Sequence, residues 1–333
     1  GTLPNAELFV NIYVSKEAVL SSQIEGTMAS LAQIMQVEAN VISPNSVRDY
    51  RVTSNAVKAL WHGLNRVGTL PVSLRLFREL HSVLLDGTRG GEIEIGEFRT
   101  SQNWIGSHGS TLKTASFIPP APHEMMQALG DLENFLHSDG LPDLIAIGLA
   151  HSQFETIHPF LDGNGRLGRL LITFLLAERK LLKLPLLYLS HYLKQHQQEY
   201  YQRLQAVRDH GQWEEWIDFF LRAVATVADE ATETVRLIGE IRESDRNSII
   251  ETAGRSTALC LTLHEHLFAQ PWLTTRSAQH ALGGSYTQAQ RVVGHLVASG
   301  VLQELPGGRR NRAFVYQRYF AVFDVPSDLN LIL

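Results

Sequence analysis

Apolar side chains recur along most of the chain with the spacing of an α-helix, three or four residues apart. Such a stripe places the apolar groups on one helix face, which can then pack on a core. The pattern predicts helices over residues 5–20, 27–40, 49–66, 73–86, 121–138, 142–157, 189–208 and 212–246. The predicted fold class is therefore mainly α.

The most regular stripe begins immediately after a polar, glycine-rich loop at residues 158–165. Its members follow the i, i+3, i+4, i+7, i+8 spacing and are Leu167, Leu170, Leu171, Phe174 and Leu175. Arg166 and Arg169 lie off this stripe and close to each other, since residues three apart share a helix face. We therefore expect a core helix whose first turn carries two guanidinium groups beside the loop.

Residues 91–120 break the helical pattern. Short extended stretches alternate there with Gly91, Gly96, Gly106 and Gly109, and Pro119-Pro120 closes the segment. Glycine and proline at this density are typical of turns and not of helix interiors. We expect a β-hairpin that acts as a flap.

A different pattern follows a polar stretch at residues 245–255. It predicts, in order, a helix over 257–268, a segment from Thr274 to Leu282, a Gly283-Gly284 turn, a helix over 287–299, and strands at 301–305 and 313–316 around a basic hairpin. This order is typical of a winged helix-turn-helix, a small α+β fold.

The composition excludes several classes of protein. With 29 Lys and Arg against 34 Asp and Glu in 333 residues, the formal net charge is −5, so no basic surface covers the whole chain. Cys260 is the only cysteine, which excludes an intramolecular disulfide framework and fits a reducing compartment. No apolar run approaches the ~20 residues that span a bilayer, and the first residues lack the features of a signal sequence. We expect a soluble cytoplasmic protein without a membrane partner.

The loop and the start of the following helix combine groups that suit phosphate. Gly163, Asn164 and Gly165 lead into a helix N-terminus, where converging N–H groups and the helix dipole favour an anion. Arg166 and Arg169 can clamp further phosphate oxygens in a bidentate manner. The spacing therefore predicts a phosphate site at this helix N-terminus.

Two titratable groups precede these glycines. Asp162 is a hard oxygen ligand suited to a Mg²⁺ ion that phosphates already hold. His158 titrates near pH ~6.5 when unperturbed, so its neutral form can accept a proton at neutral pH. Each group by itself is common in ordinary turns and on solvated helices. Their co-occurrence within the segment 158–169 predicts phosphate-transfer chemistry.

The run His158-Pro159-Phe160-Leu161-Asp162-Gly163-Asn164-Gly165-Arg166-Leu167-Gly168-Arg169 resembles the signature of the Fic domain at every motif position, His-Pro-Phe-x-Asp-Gly-Asn-Gly-Arg-x-x-Arg. With the flanking helices, the resemblance covers residues 5–225. Fic proteins are mostly protein adenylyltransferases, which transfer AMP from ATP to a Ser, Thr or Tyr hydroxyl of a target protein. The resemblance implies this function for the present chain, with ATP and Mg²⁺ as its cofactors.

The same resemblance implies roles for single residues. His158 is expected to deprotonate the target hydroxyl, and Asp162 to hold Mg²⁺. Arg169 is expected to hold the γ-phosphate. The full set of expected nucleotide-binding residues in the motif is Gly163, Asn164, Gly165, Arg166, Leu167, Gly168 and Arg169.

Two further segments fit the resemblance. Residues 102–106 and 117–120 are similar to the family's flap, which docks the target by strand addition, and the expected docking residues are Trp104, Ile105 and Gly106. The stretch between them is longer than in many relatives. Tyr200-Tyr201, followed by Arg208, is similar to the helix that borders the nucleoside, so Tyr201 is expected to contact the nucleotide. The alternative is an amphipathic helix with a packed tyrosine.

Ser21-Ser22-Gln23-Ile24-Glu25-Gly26 resembles the Fic inhibitory motif, Ser/Thr-x-x-x-Glu-Gly/Asn. Ser21 and Glu25 are four residues apart and are expected to project from one helix face. The resemblance implies that Glu25 pairs with Arg169 and so removes the γ-phosphate clamp. An alternative role for the same glutamate is to orient a water molecule that hydrolyses AMP from a modified target.

We therefore predict three regions. They are an N-terminal helical region with the inhibitory motif (1–45), a Fic-type catalytic domain with the helices that follow it (46–250), and a winged helix-turn-helix domain (251–333). A homodimer is expected.

The C-terminal region carries a local basic excess. From residue 255 onward there are seven arginines against four acidic residues, and Arg309, Arg310 and Arg312 fall in the predicted wing, where they could contact DNA phosphates. The expected base-contacting side chains are Thr287, Gln288, Gln290, Arg291 and His295. Many winged helices bind proteins or dimerise instead. The alternative function is a DNA-binding regulator whose Fic domain senses nucleotide or is largely silent.

Overall fold

Helices dominate the computed structural model, which describes residues 7–88, 94–106, 109–182, 184–306 and 312–323. The helices are α1 (Glu7–Ile24), α2 (Leu31–Glu38), α3 (Tyr50–Val67), α4 (Leu74–Leu85), α5 (Pro122–Leu136), α6 (Asp143–Ile157), α7 (Asn164–Glu178), α8 (Leu189–Gln195), α9 (Gln197–His210), α10 (Trp213–Thr252), α11 (Thr257–Ala269), α12 (Thr275–Leu282), α13 (Tyr286–Ala298) and α14 (Gln317–Phe320). The prediction of a mainly α fold is confirmed. Within these ranges, no helix combines the length and the apolar character needed to cross a membrane.

The described residues form two compact units. The first unit combines the described parts of Gly1–Lys16, Met28–Tyr50 and Asp229–Leu333, and the second combines Glu17–Thr27 with Arg51–Ala228. The second unit thus contains the glycine-rich loop, the flap and the segment around Glu25. The division into 1–45, 46–250 and 251–333 stays a prediction.

Helix α7 carries the predicted apolar stripe into the core of the second unit. Its members are each 1% exposed or less, and they are Leu167, Leu170, Leu171, Phe174 and Leu175. The helix packs against α4 and α6, and Phe154 of α6 meets Phe77 of α4 edge to face with ring centroids 5.3 Å apart. Removal of this apolar surface from water stabilises the contact. The packing of α7 against α4 and α6 therefore holds the first turn of α7 beside the loop.

Some helix ends differ from the predicted ones. Helix α1 continues to Ile24, the predicted helix over 189–208 is divided at His196 into α8 and α9, and α10 continues to Thr252. Periodicity locates the body of a helix better than its ends, because the last turn depends on local hydrogen bonds.

The end of α1 lies within the segment 21–26 that carries Ser21 and Glu25. Glu25 N donates to the carbonyl oxygen of Ser22 at 3.0 Å, a three-residue spacing, and Gly26 adopts a φ of +88°. A tight last turn followed by a glycine with positive φ is a common way to end a helix. Ser21 is therefore helical and Glu25 lies one residue beyond α1, yet both side chains are directed to the same partner, because Arg169 donates to Ser21 Oγ and to Glu25 Oε1.

The flap is closed by one antiparallel bridge. Ile105 N donates to the carbonyl oxygen of Phe117 at 2.9 Å, and Phe117 N donates back to Ile105 at 3.1 Å. Within the described residues 94–106 and 109–120 no longer strand forms, so the expected hairpin is a looped segment pinned at its base. Gly91 lies outside the described residues.

The C-terminal part of the first unit follows the predicted order of helices and adds a strand. Strands β1 (Trp272–Thr274), β2 (Gln303–Glu304) and β3 (Ala313–Val315) form an antiparallel sheet in the order β1-β3-β2. Arg312 forms a salt bridge with Glu304, whereas Arg309 and Arg310 lie outside the described residues. The assignment to the winged-helix class stays a prediction.

Candidate functional site

A cavity of about 490 Å³ in the second unit brings together the end of α1, the flap, and helices α6, α7 and α9. Seven of the predicted site residues line it, and they are Glu25, Ile105, Gly106, His158, Gly165, Arg169 and Tyr201. Glu155 and Arg208 also line it, although neither was among the predicted site residues. The cavity therefore gathers residues that are far apart along the chain.

His158 ends α6 in the left-handed conformation, with φ +49° and ψ +62°. An L-residue loses roughly 1–2 kcal/mol in this region, so its surroundings must hold it there. Burial and the charge of Arg208 lower the pKa of His158 to about 4. The imidazole is therefore neutral at pH 7 and able to accept a proton.

The polar loop is held by side chains that do not face the cavity. Gly96 N donates to His81 Nδ1 at 2.9 Å, so the ring hydrogen lies on Nε2, which donates to the Asp162 carbonyl at 3.1 Å. Burial lowers the pKa of His81 to about 4, which keeps this neutral tautomer at pH 7. The His81 ring also stacks on Phe160, with centroids 3.9 Å apart. His81 thus fixes the loop just before its glycines.

Asn164 stabilises the same loop from the helix side. Its Oδ1 accepts from Phe160 N at 2.9 Å, and its Nδ2 donates to the Phe160 carbonyl at 2.7 Å. Both polar groups of the Asn164 side chain are therefore used within the loop. Only its main-chain N–H, in the first turn of α7, is left to donate to a ligand. Gly163 precedes it with a φ of +80°, a conformation that glycine adopts at little cost.

The first turn of α7 suits an anion. The initial N–H groups of any helix lack intrahelical acceptors, and here they follow a loop that ends in glycine. Arg166 is buried on the same turn, its Nη1 has no hydrogen-bond partner, and its Nη2 lies 3.5 Å from the Asp162 carboxylate. A buried guanidinium donor without a partner is costly, so the site fits a ligand with phosphate oxygens.

Arg169, one turn later, donates three hydrogen bonds to Ser21 and Glu25. Its Nη2 donates to Glu25 Oε1 at 2.6 Å and to the Ser21 carbonyl at 3.0 Å, while its Nε donates to Ser21 Oγ at 3.0 Å. Burial alone would raise the pKa of Glu25, but the Arg169 charge and hydrogen bond hold it below its usual range. The predicted pair of Glu25 and Arg169 is therefore in contact in this structure.

Other contacts hold the Glu25 segment in place. Both oxygens of the buried Glu17 accept hydrogen bonds from Ser190, from Oγ at 2.5 Å and from the main-chain N at 3.0 Å. Lys194 Nζ donates to Gln23 Oε1 at 2.6 Å. These contacts join the last two turns of α1 to α8, which positions Glu25 at the cavity.

A second carboxylate, that of Glu155, approaches the same helix. A Cβ built on Gly165 would lie 2.3 Å from Glu25 Oε1, and a Cβ built on Gly168 would lie 2.4 Å from Glu155 Oε1. The two glycines, three residues apart on α7, therefore make room for two carboxylates. Glu155 is 6% exposed and its Oε1 has no hydrogen-bond partner. Burial raises the pKa of Glu155 to about 7, against the lowering effect of Arg169.

A buried network supports α7 behind the cavity. His151 Nδ1 donates to the Gly168 carbonyl at 2.8 Å, so Nε2 carries no hydrogen and accepts from the Tyr200 hydroxyl at 2.9 Å. Burial lowers the pKa of His151 to about 3, which keeps the ring neutral. The carbonyl of Gly168 thus accepts a hydrogen bond from His151, and the absence of a side chain at Gly168 leaves room for Glu155. The Leu167 side chain lies in the core.

Asp162 is the candidate metal ligand. Its side chain is 54% exposed, and its Oδ1 accepts from Gly163 N at 2.6 Å. In the part of the chain that is described, no three His, Cys, Asp or Glu side chains form a metal-binding group. A single exposed carboxylate beside an anion site fits Mg²⁺, which takes one or two protein carboxylates and completes its shell with phosphates and water.

The flap residues divide between the cavity and the surface. Ile105 and Gly106 line the cavity. Trp104 is exposed on the flap, and its Nε1 donates to the Ser110 carbonyl at 2.9 Å.

Sequence reasoning assigned no role of their own to several residues that shape the site. Arg208 Nη2 donates to the Glu155 carbonyl at 3.0 Å, and its guanidinium lies 4.4 Å from the Phe117 ring centroid, so it joins the flap to α6. Arg99 donates to main-chain carbonyls beside His158. The sequence offered one indication of such a residue, a charged side chain inside an apolar stretch, as for Glu155 in α6. That indication does not identify the group that the side chain contacts.

Comparison with known families identifies two matches. The model of the Fic/DOC family matches residues 71–176, and that of the Fic/DOC family N-terminal region matches residues 1–65. The matched ranges include the glycine-rich loop, the flap and the Glu25 segment.

Curated relatives agree with these matches. A protein named protein adenylyltransferase Fic from Drosophila virilis is 31% identical over 159 residues, which is 46% of this chain and 30% of that protein. The Drosophila melanogaster protein of the same name is 30% identical over 159 residues. The chain thus spans about a third of the length of the curated relatives it matches.

Solved structures share the fold. A Fic family protein from Desulfovibrio desulfuricans G20 aligns over 92% of this chain and 87% of its own, with a TM-score of 0.59 and 19% identity. A Fic domain containing signaling protein from Bacteroides thetaiotaomicron VPI-5482 aligns over 66% of this chain and 85% of its own, with a TM-score of 0.54 and 19% identity. At this level of identity the likeness concerns the fold.

Proposed function

Because the chain belongs to the Fic/DOC family, we propose that it is a protein adenylyltransferase that transfers AMP from ATP to a Ser, Thr or Tyr hydroxyl of a target protein. The names of the curated relatives support this activity. Since the chain spans only part of those relatives, the activity and the targets belong to the proposal.

One observation carries the proposal: a neutral histidine, His158, lies in the same cavity as the first turn of α7. The target hydroxyl oxygen attacks the α-phosphorus of ATP, and the bond to the departing pyrophosphate breaks. His158 accepts the hydroxyl proton. The N–H groups of α7 and the unpartnered Nη1 of Arg166 stabilise the negative charge that develops on the phosphates.

Asp162 is the residue proposed to hold Mg²⁺. When bound, the ion supplies positive charge that neutralises the phosphate oxygens. Asp162 suits this role because its carboxylate is exposed to solvent. One of its oxygens, Oδ1, also accepts a hydrogen bond from Gly163 N.

Glu25 is proposed to inhibit the resting protein. Arg169 would otherwise bind the γ-phosphate, but its guanidinium donates to Glu25 and to Ser21 instead. ATP can then bind only without this clamp, in a pose that is not productive. Orientation of a hydrolytic water by Glu25 is the alternative role of the same contact.

The flap and α9 are proposed to bind the two substrates. The proposed docking edge is Trp104, Ile105 and Gly106. A target segment would pair with the main chain of Trp104 and Gly106, because both main-chain groups of Ile105 already pair within the flap. Tyr201 lines the cavity and is half exposed, which suits a contact with the nucleoside. Glycines and N–H groups of residues 163–165 remain the proposed contacts of the α- and β-phosphates.

The test uses Glu25→Gly with Mg²⁺ and ATP labelled on either the α- or the γ-phosphate, with the protein and an added lysate as acceptors. Label retained on protein only from the α-position, together with an AMP adduct in intact mass, supports AMP transfer. Retention from the γ-position would mean phosphorylation, and no retention from either position would contradict the proposal. His158→Ala is the matched control.

A second candidate function is DNA binding by residues 251–333, in line with a regulator whose Fic domain senses nucleotide. The observation that favours it is the exposed face of α13, on which Thr287, Gln290 and Arg291 are all exposed to solvent. Polar side chains on such a helix can meet base edges. The homodimer is a separate proposal, and a measurement of the molar mass in solution tests it.

A further inference from the structure

Arg99 is a buried cation without a carboxylate. It is 3% exposed, and no salt bridge to it occurs among the described residues. Its side chain instead donates to four main-chain carbonyls. A buried guanidinium is tolerated only when its donors are satisfied, so this set of carbonyls accounts for its burial.

The four carbonyls come from two places. Arg99 Nε donates to His158 at 3.0 Å and Nη2 donates to Ile157 at 3.4 Å, both at the end of α6. Nη1 donates to Ser101 at 3.2 Å and Nη2 donates to Pro120 at 2.5 Å, at the two ends of the flap. One side chain therefore joins both ends of the flap to the turn that carries His158.

The main chain around Arg99 reinforces the same connection. Arg99 N donates to the Pro159 carbonyl at 2.9 Å. Asn103 Nδ2 donates to the His158 carbonyl at 3.1 Å and to the Phe160 carbonyl at 2.8 Å. The carbonyl of His158 thus accepts two hydrogen bonds at a residue whose φ is +49°.

We propose that Arg99 is a positioning residue for AMP transfer: it holds His158 in its left-handed conformation, so that the imidazole faces the cavity, and it sets the distance between the flap and that imidazole. The inference rests on the proposed function, because it concerns the proposed base. Arg99 does not line the cavity, so it acts through His158 and the flap and not by touching the nucleotide.

Lysine is not equivalent to arginine at this position. The planar guanidinium presents donors in a rigid fork that reaches carbonyls on two sides, whereas an ammonium group is a point charge on a flexible stem. Arg99→Lys keeps the charge and loses the bridge. It therefore separates positioning from charge.

The experiment compares Arg99→Lys with Arg179→Lys, both in the Glu25→Gly background. Arg179 is a matched control because it is also largely buried and bridges Asp143 and the Leu136 carbonyl, at the other end of α7. We expect Arg99→Lys to lower kcat about 10- to 100-fold, the range that a small misplacement of a reacting group produces. The KM for ATP and the melting temperature should stay close to those of the control.

Chemical rescue provides the second measurement. Millimolar guanidinium added to Arg99→Ala should restore part of the lost kcat and should not raise the kcat of Arg179→Ala. If Arg99→Ala does not fold, Arg99→Lys alone decides. A kcat for Arg99→Lys equal to that of the control overturns the inference.

A measurement that needs no activity separates this inference from the proposed function. The imidazole NMR signals of His158, assigned by their loss in His158→Ala, should shift in Arg99→Lys and not in Arg179→Lys. Unshifted signals overturn the positioning role even if AMP transfer is found. Shifted signals without any AMP transfer support the positioning role and contradict the proposed function.

Discussion

At the scale of single residues, His158 lies in the cavity and is neutral at pH 7, two conditions for a group that is to accept a proton there. It reaches the cavity from a backbone conformation that a non-glycine residue rarely adopts, and burial together with Arg208 holds its pKa at about 4. A base must be unprotonated before it can act, and this pKa keeps the neutral form dominant over the physiological pH range.

Replacement of His158 tests both properties. In the Glu25→Gly background, His158→Ala should leave ATP binding largely intact and cut transfer by ~10²–10⁴. Because only the neutral imidazole accepts a proton, the part of transfer that depends on His158 should fall as the pH approaches its pKa of about 4, whereas Glu155 titrates in the same cavity near pH 7. Rates measured from pH 8 to 4 in the parent and in Glu155→Gln check the prediction, and a fall centred near pH ~6.5 in both proteins would contradict the buried state of His158.

Asp162 makes a second prediction at this scale. Asp162→Ala should lower the rate and weaken its dependence on Mg²⁺ together, because a carboxylate beside phosphate oxygens serves mainly to place the ion. The measurement is a Mg²⁺ titration of activity in the parent and in the variant. Asp162→Asn is a control that keeps the hydrogen bond from Gly163 N, and superimposable titrations would leave Asp162 with a loop-capping role only.

At the scale of elements, the important contact is between the end of α1 and α7. Ser21 and Glu25 together accept three hydrogen bonds from the Arg169 side chain. Glu17 and Gln23 join the same part of α1 to α8 through Ser190 and Lys194. The Glu25 carboxylate is therefore held by a helix end that has its own contacts to α8.

Removal of that carboxylate should raise activity, which few changes at an active site do. Glu25→Gly should increase AMP transfer about tenfold, equivalent to ~1.4 kcal/mol, a plausible size for a charged hydrogen bond whose carboxylate is 39% exposed. Auto-modification and ATP turnover measure the change. Unchanged or lower transfer would refute autoinhibition and leave the role of His158 standing.

Arg169→Ala provides the control for this experiment. It removes the partner of Glu25 and the proposed γ-phosphate clamp at once, so it should not reproduce the gain of Glu25→Gly. The double variant should be as slow as Arg169→Ala alone. This non-additivity is expected when two residues act through one contact.

At the scale of the whole molecule, charge is unevenly distributed along the chain. The chain carries a net charge of −5, yet the residues from 255 onward are net basic. Arg312 is already paired with Glu304, which reduces what it can contribute to binding a polyanion.

This distribution leads to a prediction for the C-terminal region. The full chain should bind a short DNA duplex in a salt-sensitive manner, and charge reversal of Arg309, Arg310 and Arg312 should abolish the binding, because phosphate contacts release counterions. A titration at two salt concentrations measures it. If no binding occurs even at low salt, residues 251–333 serve as a protein-interaction module.

Sequence alone determined the local features of this protein. The apolar stripe of α7 follows from a 3.6-residue period that needs no long-range information. The segment 158–169 was identified from a continuous motif, and its candidate base, its candidate anion site and its two arginines could be named in advance for the same reason. The flap was located from its glycines, although its reduction to a single bridge between Ile105 and Phe117 was not foreseen.

Tertiary structure alone decided which distant groups meet. Periodicity and spacing carry no information about the partner of a buried side chain, because that partner is chosen by packing between elements far apart in sequence. Glu155 and Arg99 therefore went unrecognised, and so did the left-handed backbone of His158, which depends on hydrogen bonds from residues 55 and 59 positions away. The contact between Glu25 and Arg169 spans 144 residues. It was expected only by family resemblance, and the packing of α1 near α7 is what brings the two charges together.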